Sequence, residues 1–309
     1  FYIVDINRDP DLPLQPPLGR TGRPETGRKA YSIDAVNEYD DLFEDVYDYC
    51  DAQGLQIDTL IHEVGACQME INFLHGNALD LADQIFLFKR TVREAAIRHQ
   101  MYATFMAKPM ENEPGSAMHI HMSVVDKTSG KNVFSNDDGQ PSEVFYQSIA
   151  GMQKYFPAVI SLFAPFVNSY RRLTRYYAAP INVQWRFYNR TCGIRIPHST
   201  PAARRIENRV PGVDCNPYLA LAATLACAYL GIVEQLKPSE PLSGDAYSFP
   251  FAFARELEGA TTLLAECQPI ADVLGEEFIK AYCAVKQSEY IEYAKVISPW
   301  ERKHLLLHV

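Results

Sequence analysis

The segment that most constrains this chain is NPYLALAATLACAYLGIV, residues 216 to 233, which has no charged side chain on any side of a helix. Asn216 and Pro217 are residue types that begin helices, because Asn caps free backbone amides and Pro fits the first turn. The apolar run from Tyr218 to Val233 is shorter than the roughly 20 residues that a membrane span requires. A helix this apolar has to be surrounded by protein. We therefore predict that it lies buried against a sheet.

The composition can supply a core of that kind. The chain has 309 residues and 47% hydrophobic content, enough for one large domain or two modest ones. Its seven cysteines are odd in number and widely spaced without a C-x-x-C pair, which favours neither a disulfide framework nor a zinc cluster. With no charged leader before an apolar stretch, we expect a cytoplasmic protein that is neither secreted nor anchored in a membrane.

The distribution of charge is more informative than its total. A net charge of −9 argues against nucleic acid as a partner. Between Arg171 and Arg209, however, the chain has nine arginines, no lysine and a single acid, Glu207. Guanidinium groups hold phosphates and carboxylates with paired hydrogen bonds, and a structural ion pair is the alternative for any single arginine. For the cluster as a whole we predict an anion site.

The remaining periodicity indicates alternating helices and strands. Residues 8 to 29, with five prolines and three glycines, are too long for an ordinary connection and are interpreted as a functional loop. Apolar positions with helical spacing run from Ala35 to a stop at Gly54, and Asn77 is placed to cap a helix that ends near Gln100. From about Phe251 the pattern is mostly helical. Two further segments alternate as strands, HIHMSVV (residues 119 to 125) and NVQWRFYNR (residues 182 to 190).

The first of these strands carries two histidines on one face. A period of two places His119 and His121 together while Ile120 and Met122 point into the core. Histidines in such a pattern more often have a structural role than a ligand role. Here they follow the small-residue turn of residues 114 to 117, which allows backbone amides to approach a ligand, and this context favours ligand binding.

Two acidic positions suggest a second element of a site. Glu63 and Glu70 in HEVGACQME are seven residues apart, so a straight strand would place them on opposite faces, and a break near Gly65 would let them converge. Paired carboxylates suit a hard divalent ion such as magnesium or manganese, while two exposed acids at strand ends are the alternative.

The segment RRIENR, residues 204 to 209, suggests the third. Arg205, Glu207 and Arg209 share one face of an extended segment. Either they form a self-neutralising row of ion pairs, or Glu207 binds a metal while the arginines hold the anions that the metal bridges, as phosphoryl transfer requires.

Taken together, these motifs resemble the glutamine synthetase superfamily. Lys108-Pro109-Met110, three residues, Pro114-Gly115-Ser116-Ala117-Met118-His119, three more and Ser123 reproduce its long ATP-region signature. HEVGACQME resembles its metal-carboxylate segment, NSYRRL its glutamate-binding segment, NRTCGIRIP its phosphate arginines and ARRIENR its last metal-ligand strand, all in family order.

The resemblance implies roles for individual residues. The implied metal ligands are Glu63, Glu70, His119 and Glu207; the implied ATP-binding residues are His121, Ser123, Arg190 and Arg195, of which the two arginines are also catalytic; and the implied glutamate-binding residues are Gly115, Arg172 and Arg209. The implied reaction uses ATP and Mg²⁺ or Mn²⁺ to form γ-glutamyl phosphate, from which an amine displaces phosphate.

The resemblance also implies an architecture. It implies an α+β catalytic domain over residues 1 to 309, with a curved, largely antiparallel sheet forming an open funnel backed by helices. It further implies a ring-shaped homo-oligomer, dodecamer-like. In the family two further metal-ligand glutamates, in a Glu-x-Glu strand, and a small β-grasp domain precede the position of Phe1, and we expect the chain to be partial in that respect.

One departure bears on the substrate. Where ammonia-using relatives have Tyr-Glu-Ala-Pro, this chain has Tyr177-Ala178-Ala179-Pro180. Losing that carboxylate removes a cation site and opens volume, which favours a bulkier amine. Together with NVQWRFYNRT and ENRVPGVDCNPYLALAA, this resembles the γ-glutamylpolyamine (γ-glutamylputrescine) synthetase branch, and we predict a polyamine or another primary amine as the acceptor. An ammonia-using glutamine synthetase and a non-catalytic structural relative remain the alternatives.

Overall fold

Helices and short strands alternate along the chain in a computed structural model that describes residues 1–26, 28–307 and 309. The strands are β1 (Tyr2–Asp5), β2 (Ile57–His62), β3 (Met69–Phe73), β4 (Met101–Thr104), β5 (Ile120–Met122), β6 (Trp185–Phe187), β7 (Ile194–Ile196) and β8 (Ile206–Asn208). The helices are α1 (Ile33–Asn37), α2 (Asp40–Ala52), α3 (Ala78–Arg98), α4 (Glu143–Tyr155), α5 (Ile160–Phe163), α6 (Pro217–Val233), α7 (Leu257–Ala265), α8 (Gln268–Leu274), α9 (Glu276–Ala294) and α10 (Pro299–Leu305). The α+β class is confirmed.

The strands are largely antiparallel, but across the described residues they form three short sheets. Strand β1 pairs with β4 and β2 pairs with β3, both antiparallel. The third sheet has the order β5-β8-β7-β6, in which only β6 and β7 run parallel. A separate backbone bond from Ile3 N to Cys67 O, 3.0 Å long, holds β1 against the bend between β2 and β3.

The predicted apolar helix is confirmed as α6, and the side chain of Asn216 caps it by accepting from the amides of Tyr218 and Leu219. Its predicted packing against a sheet is wrong in the main, since α6 packs chiefly on α4. The two helices approach closely because both carry glycine where they cross: a Cβ on Gly151 would stand 2.6 Å from the backbone nitrogen of Gly231. The helix shares a hydrophobic cluster with the four-stranded sheet, and a buried hydrogen bond, 2.9 Å long, runs from Asn208 of β8 to Thr224.

The helix predicted from Ala35 is divided in two. Tyr39 leaves the helical conformation between α1 and α2, and its hydroxyl reaches the carbonyl of Pro17 at 3.2 Å and Sγ of Cys67 at 2.9 Å. Those contacts tie the long loop and the β2–β3 bend to α2. The predicted start of α3 at Asn77 is confirmed, because the Asn77 side chain accepts from the amide of Leu79.

Two hydrophobic clusters lie on either side of the residues discussed below. The larger surrounds α4, α6 and the four-stranded sheet, and the smaller surrounds β1, α2 and α3. The buried amine of Lys89 on α3 joins them by donating to the carbonyls of Val213 at 2.6 Å and Cys215 at 2.8 Å. Within the described residues, we find no helix with the length and apolar character that crossing a bilayer would demand. All seven cysteines are free thiols.

Candidate active site

The bend between β2 and β3 brings Glu63 and Glu70 together. Glu63 follows the last residue of β2 and Glu70 is the second residue of β3, opposite Ile61. The bend is closed by a 2.8 Å bond from Glu63 N to Gln68 O, and Cys67 within it adopts a left-handed conformation with φ of 57°. Burial raises the pKa of Glu70, and the neighbouring carboxyl of Glu63 raises it further. The predicted convergence of the two carboxylates is therefore present in the fold.

The two histidines lie on the exposed face of β5, as predicted, with Ile120 and Met122 buried behind them. The Nδ1 atom of His119 is 3.7 Å from Oε1 of Glu207. The His119 side chain is 30% exposed, but the surrounding protein removes much of the water from around its ring. This desolvation lowers the pKa of His119 well below its usual value, and the charges of Arg209 and Arg172 lower it further. The imidazole is therefore neutral at pH 7, the form in which histidine binds metals.

Glu207, on β8, is the most constrained acid of the group, since only 1% of its surface is exposed. One oxygen accepts from Arg195 of β7 and the other from Arg209 at 2.5 Å. Burial alone would raise its pKa, but the charges of Arg209 and Arg195 lower it, so the carboxylate is ionised. The sequence predicted Arg205 and Arg209 as its flanking cations. Arg205 instead donates from Nε to Nδ1 of His121 at 3.2 Å.

Three arginines in this region have a side-chain N–H group that makes no hydrogen bond within the described residues. The Nε atoms of Arg172, Arg195 and Arg209 are buried, and nothing in the part of the chain that the structure describes accepts a hydrogen bond from them. A buried donor without an acceptor costs about 1–3 kcal/mol, so groups of such donors indicate a missing anionic partner. Burial also lowers the pKa of Arg172 to about 10. These donors support the predicted anion site.

Gly115 packs directly against Arg172. A Cβ at Gly115 would overlap the Arg172 side chain and stand 2.7 Å from the carbonyl oxygen of Ala107. The Gly115 carbonyl accepts from Nε2 of Gln68 at 3.0 Å, which ties this turn to the β2–β3 bend. The turn and Arg172 can therefore pack in direct contact because Gly115 has no side chain.

The remaining predicted residues are nearer the surface. Ser123 is exposed just beyond β5, on the same face as the histidines. Arg190 is exposed and donates from Nη1 to the hydroxyl of Tyr31 at 3.2 Å. Nothing in the sequence pointed to Tyr31, which sits at the end of the proline-rich loop with φ of 64°. Lys108 was noted only as part of a motif, and its amine lies 4.7 Å from the ring centroid of Tyr177.

Ala178 belongs to a short irregular segment that closes one side of the group. Tyr176 and Ala178 both have positive φ, 71° and 55°, and the Ala178 carbonyl is 3.4 Å from Nη2 of Arg209. The buried hydroxyl of Tyr247 donates to the carbonyl of Ala179 at 3.1 Å and so anchors the segment. The position without a carboxylate therefore adjoins the arginine group.

A hard divalent ion fits the Glu63–Glu70 pair better than the His119–Glu207 pair. Glu63 and Glu70 are adjacent carboxyls, and burial together with the neighbouring Glu63 raises the pKa of Glu70; a bound cation would stabilise both carboxylates in their charged form. His119 offers a neutral nitrogen beside Glu207, but both oxygens of Glu207 already accept from arginines, so a metal there would have to share Oε1 with Arg209. Across the described residues, no three His, Cys, Asp or Glu side chains converge on one point, so either ion would need ligands beyond these pairs.

Comparison with known proteins places this chain in a family. A family model for the catalytic domain of glutamine synthetase matches residues 1–305. The chain therefore belongs to the glutamine synthetase family. Among curated relatives, γ-glutamylputrescine synthetase PuuA of Escherichia coli K12 is 35% identical over 99% of this chain and 65% of its own length.

Other relatives are named either as amine ligases or as glutamine synthetases. A glutamate–isopropylamine ligase from a Pseudomonas species is 35% identical over 90% of this chain and 61% of its own length. A glutamine synthetase of Halobacterium salinarum is 36% identical over 86% of this chain and 61% of its own length. The chain thus spans slightly less than two thirds of these relatives. A solved structure described as a GmaS/ADP complex superposes with a TM-score of 0.84 at 28% identity, covering 99% of this chain and 70% of that one.

Proposed function

We propose that this chain supplies the catalytic domain of an ATP-dependent ligase that joins the γ-carboxylate of glutamate to a primary amine. The observation that carries the proposal is the group of buried arginine N–H donors that find no acceptor in the described residues, two of them on arginines that hold Glu207. Such a site is built for several anions at once, which is what glutamate and the phosphates of ATP require. The named activities of the amine ligases among the relatives support the same reaction class.

Arg172, Arg209 and the backbone at Gly115 would hold the carboxylates of glutamate. Because Glu207 fixes the Arg209 guanidinium, that group is oriented before the substrate arrives. The γ-carboxylate oxygen then attacks the terminal phosphorus of ATP; the new O–P bond forms as the bond to ADP breaks. Arg190 and Arg195 would stabilise the charge on the phosphoryl group in transit, while His121 and Ser123 would contact the nucleotide.

The second step is transfer of the glutamyl group. The amine nitrogen attacks the γ-carbonyl carbon, inorganic phosphate departs, and the nitrogen loses a proton as the amide forms. Ala178 leaves this side of the site without the carboxylate that would bind ammonium, so an alkyl group can occupy the space. Mg²⁺ or Mn²⁺ held by Glu63 with Glu70, and by His119 with Glu207, would neutralise phosphate charge.

A second candidate is glutamine synthesis from ammonia, which the relatives named glutamine synthetase at similar identity favour. The absence of a carboxylate at Ala178 argues against ammonia as the acceptor. The family's open funnel and ring-shaped homo-oligomer belong to this proposal as well. Exposed apolar side chains on one stripe of α6, Leu225, Tyr229 and Val233, support burial against another subunit. The free thiols support a reducing, cytoplasmic setting.

The proposal is tested first by nucleotide binding. In the full-length protein, we expect ATP to bind measurably by isothermal titration calorimetry with magnesium present, and to release phosphate only when glutamate and an amine are both added. ATP binding that ignores magnesium, or an absence of binding, would point instead to a non-catalytic relative that has kept the fold.

Replacing Gly115 by Ala should weaken glutamate binding in particular. The new methyl group would displace Arg172 and press on the Ala107 carbonyl, because both lie where it must go. We expect a loss of about 1–3 kcal/mol in stability, and a rise of about tenfold or more in KM for glutamate, since small misplacements of a positioning group are costly. Gly76→Ala is the matched control, because its Cβ would meet nothing nearer than 4.0 Å. An unchanged KM for glutamate in Gly115→Ala would contradict the role given to this turn.

A further inference from the structure

A buried acid and histidine lie directly behind the Glu63–Glu70 pair. Glu25 comes from the proline-rich loop, and His62 is the last residue of β2. Their side chains are 6% and 0% exposed, and Oε2 of Glu25 is 3.0 Å from Nε2 of His62. Neither residue reaches the arginine group, so the reaction proposed above does not use them.

The hydrogen bonds of His62 have a defined direction. Its Nδ1 atom is 2.7 Å from the carbonyl oxygen of Glu63, which can only accept, and its Nε2 atom faces a carboxylate, which also accepts. The Nδ1 atom therefore donates to the main chain of Glu63, and the ring links that residue to Glu25.

The same carboxylate also holds the other end of the bend. Oε2 of Glu25 accepts from the amide of Cys67 at 2.8 Å. Cys67 has φ of 57°, a conformation that is unfavourable for a residue with a Cβ and needs support from its surroundings. Oε2 of Glu25 therefore contacts the bend on both sides of Glu63. It lies against the ring of His62 and accepts from the amide of Cys67.

We propose that Glu25 and His62 are positioning residues that keep the carboxylates of Glu63 and Glu70 side by side. Two adjacent carboxylates repel one another, so the bend that joins them benefits from restraint beyond its own bond from Glu63 N to Gln68 O. The contacts of Glu25 provide that restraint from a distant part of the chain. This inference rests on the metal-binding role given to Glu63 and Glu70 in the proposed function, and hydrogen-bonding groups around a metal site commonly orient its ligands.

The test is binding of Mn²⁺ to the full-length protein, followed by the electron paramagnetic resonance signal of the free ion. Glu25→Gln keeps the volume and an oxygen that can accept from Cys67 N and from the His62 ring, but it removes the negative charge that strengthens both bonds. We expect about tenfold weaker binding of Mn²⁺ and a changed spectrum of the bound ion. Glu38→Gln is the matched control, because Glu38 holds the same loop through the amide and hydroxyl of Thr21, away from the bend.

A second variant replaces His62, the other residue of the hydrogen-bonded pair. His62→Gln should weaken Mn²⁺ binding by a similar factor, and the double variant should be no weaker than the single ones, because all three break one linkage. Unchanged Mn²⁺ affinity in Glu25→Gln, or losses that add in the double variant, would overturn the inference, as would wild-type protein that binds no Mn²⁺. Wild-type protein that binds Mn²⁺ but lacks ligase activity would refute the proposed function alone, and the comparison of variants would still decide this inference.

Discussion

Glu207→Gln is expected to reduce ATP-dependent activity by at least about 10²–10³-fold and to destabilise the fold by about 3–5 kcal/mol. The amide keeps the shape of the side chain but removes the negative charge that pairs with Arg195 and Arg209. Arg209 is 5% exposed, so its charge would be left buried without a partner. Urea denaturation and glutamate-dependent phosphate release measure the two effects separately.

Glu234→Gln is a suitable control for that substitution. Glu234 also accepts from a cation, Lys154 at 2.6 Å, and from the hydroxyl of Tyr155, but its pair lies at the surface. Such pairs contribute about 0–1 kcal/mol, so this variant should behave as the wild type in both assays. Glu207→Gln protein with the denaturation midpoint and activity of the control would show that Glu207 does not organise the site.

Ala178→Glu is expected to reverse the preference for the acceptor. A carboxylate at this position would occupy the space proposed for the alkyl group and would attract a small cation, so kcat/KM for alkylamines should fall about 10²-fold while use of ammonium rises. The fold should tolerate the change. Ala178 already has a positive φ, and any residue with a Cβ meets the same backbone cost there.

Ala178→Gln separates volume from charge, because it fills the same space without a carboxylate. It should lose alkylamine use as Ala178→Glu does, but gain no use of ammonium. Full alkylamine activity in both variants would show that the acceptor binds elsewhere.

Local chemistry made much of this molecule predictable from its sequence. Asn77 and Asn216 mark helix starts because their side chains cap the adjacent amides, an effect confined to a few residues. The alternation around His119 and His121 likewise correctly predicted which face of β5 is exposed. The convergence of Glu63 and Glu70 was foreseeable only as a consequence of a break near Gly65.

The contacts that the sequence did not reveal join distant segments. Tyr31 meets Arg190 across 159 positions and Glu25 meets His62 across 37, and neither loop residue stands in a periodic pattern. Arg195 replaced Arg205 as a partner of Glu207 because strand order, which sequence spacing does not specify, sets β7 beside β8. Packing of α6 on α4 depends on one glycine from each helix, and each looks unremarkable alone. The roles of the site residues themselves stay predictions.

The most direct test of the proposed activity is a comparison of acceptors. Phosphate release and product mass are measured for the full-length protein with ATP, magnesium and glutamate, supplying in turn putrescine, spermidine, isopropylamine and ammonium at equal concentrations. We predict a glutamyl amide with at least one of the alkylamines, formed with a kcat/KM well above that for ammonium. Glutamine as the sole product, formed from ammonium while every amine is left unused, would contradict the account.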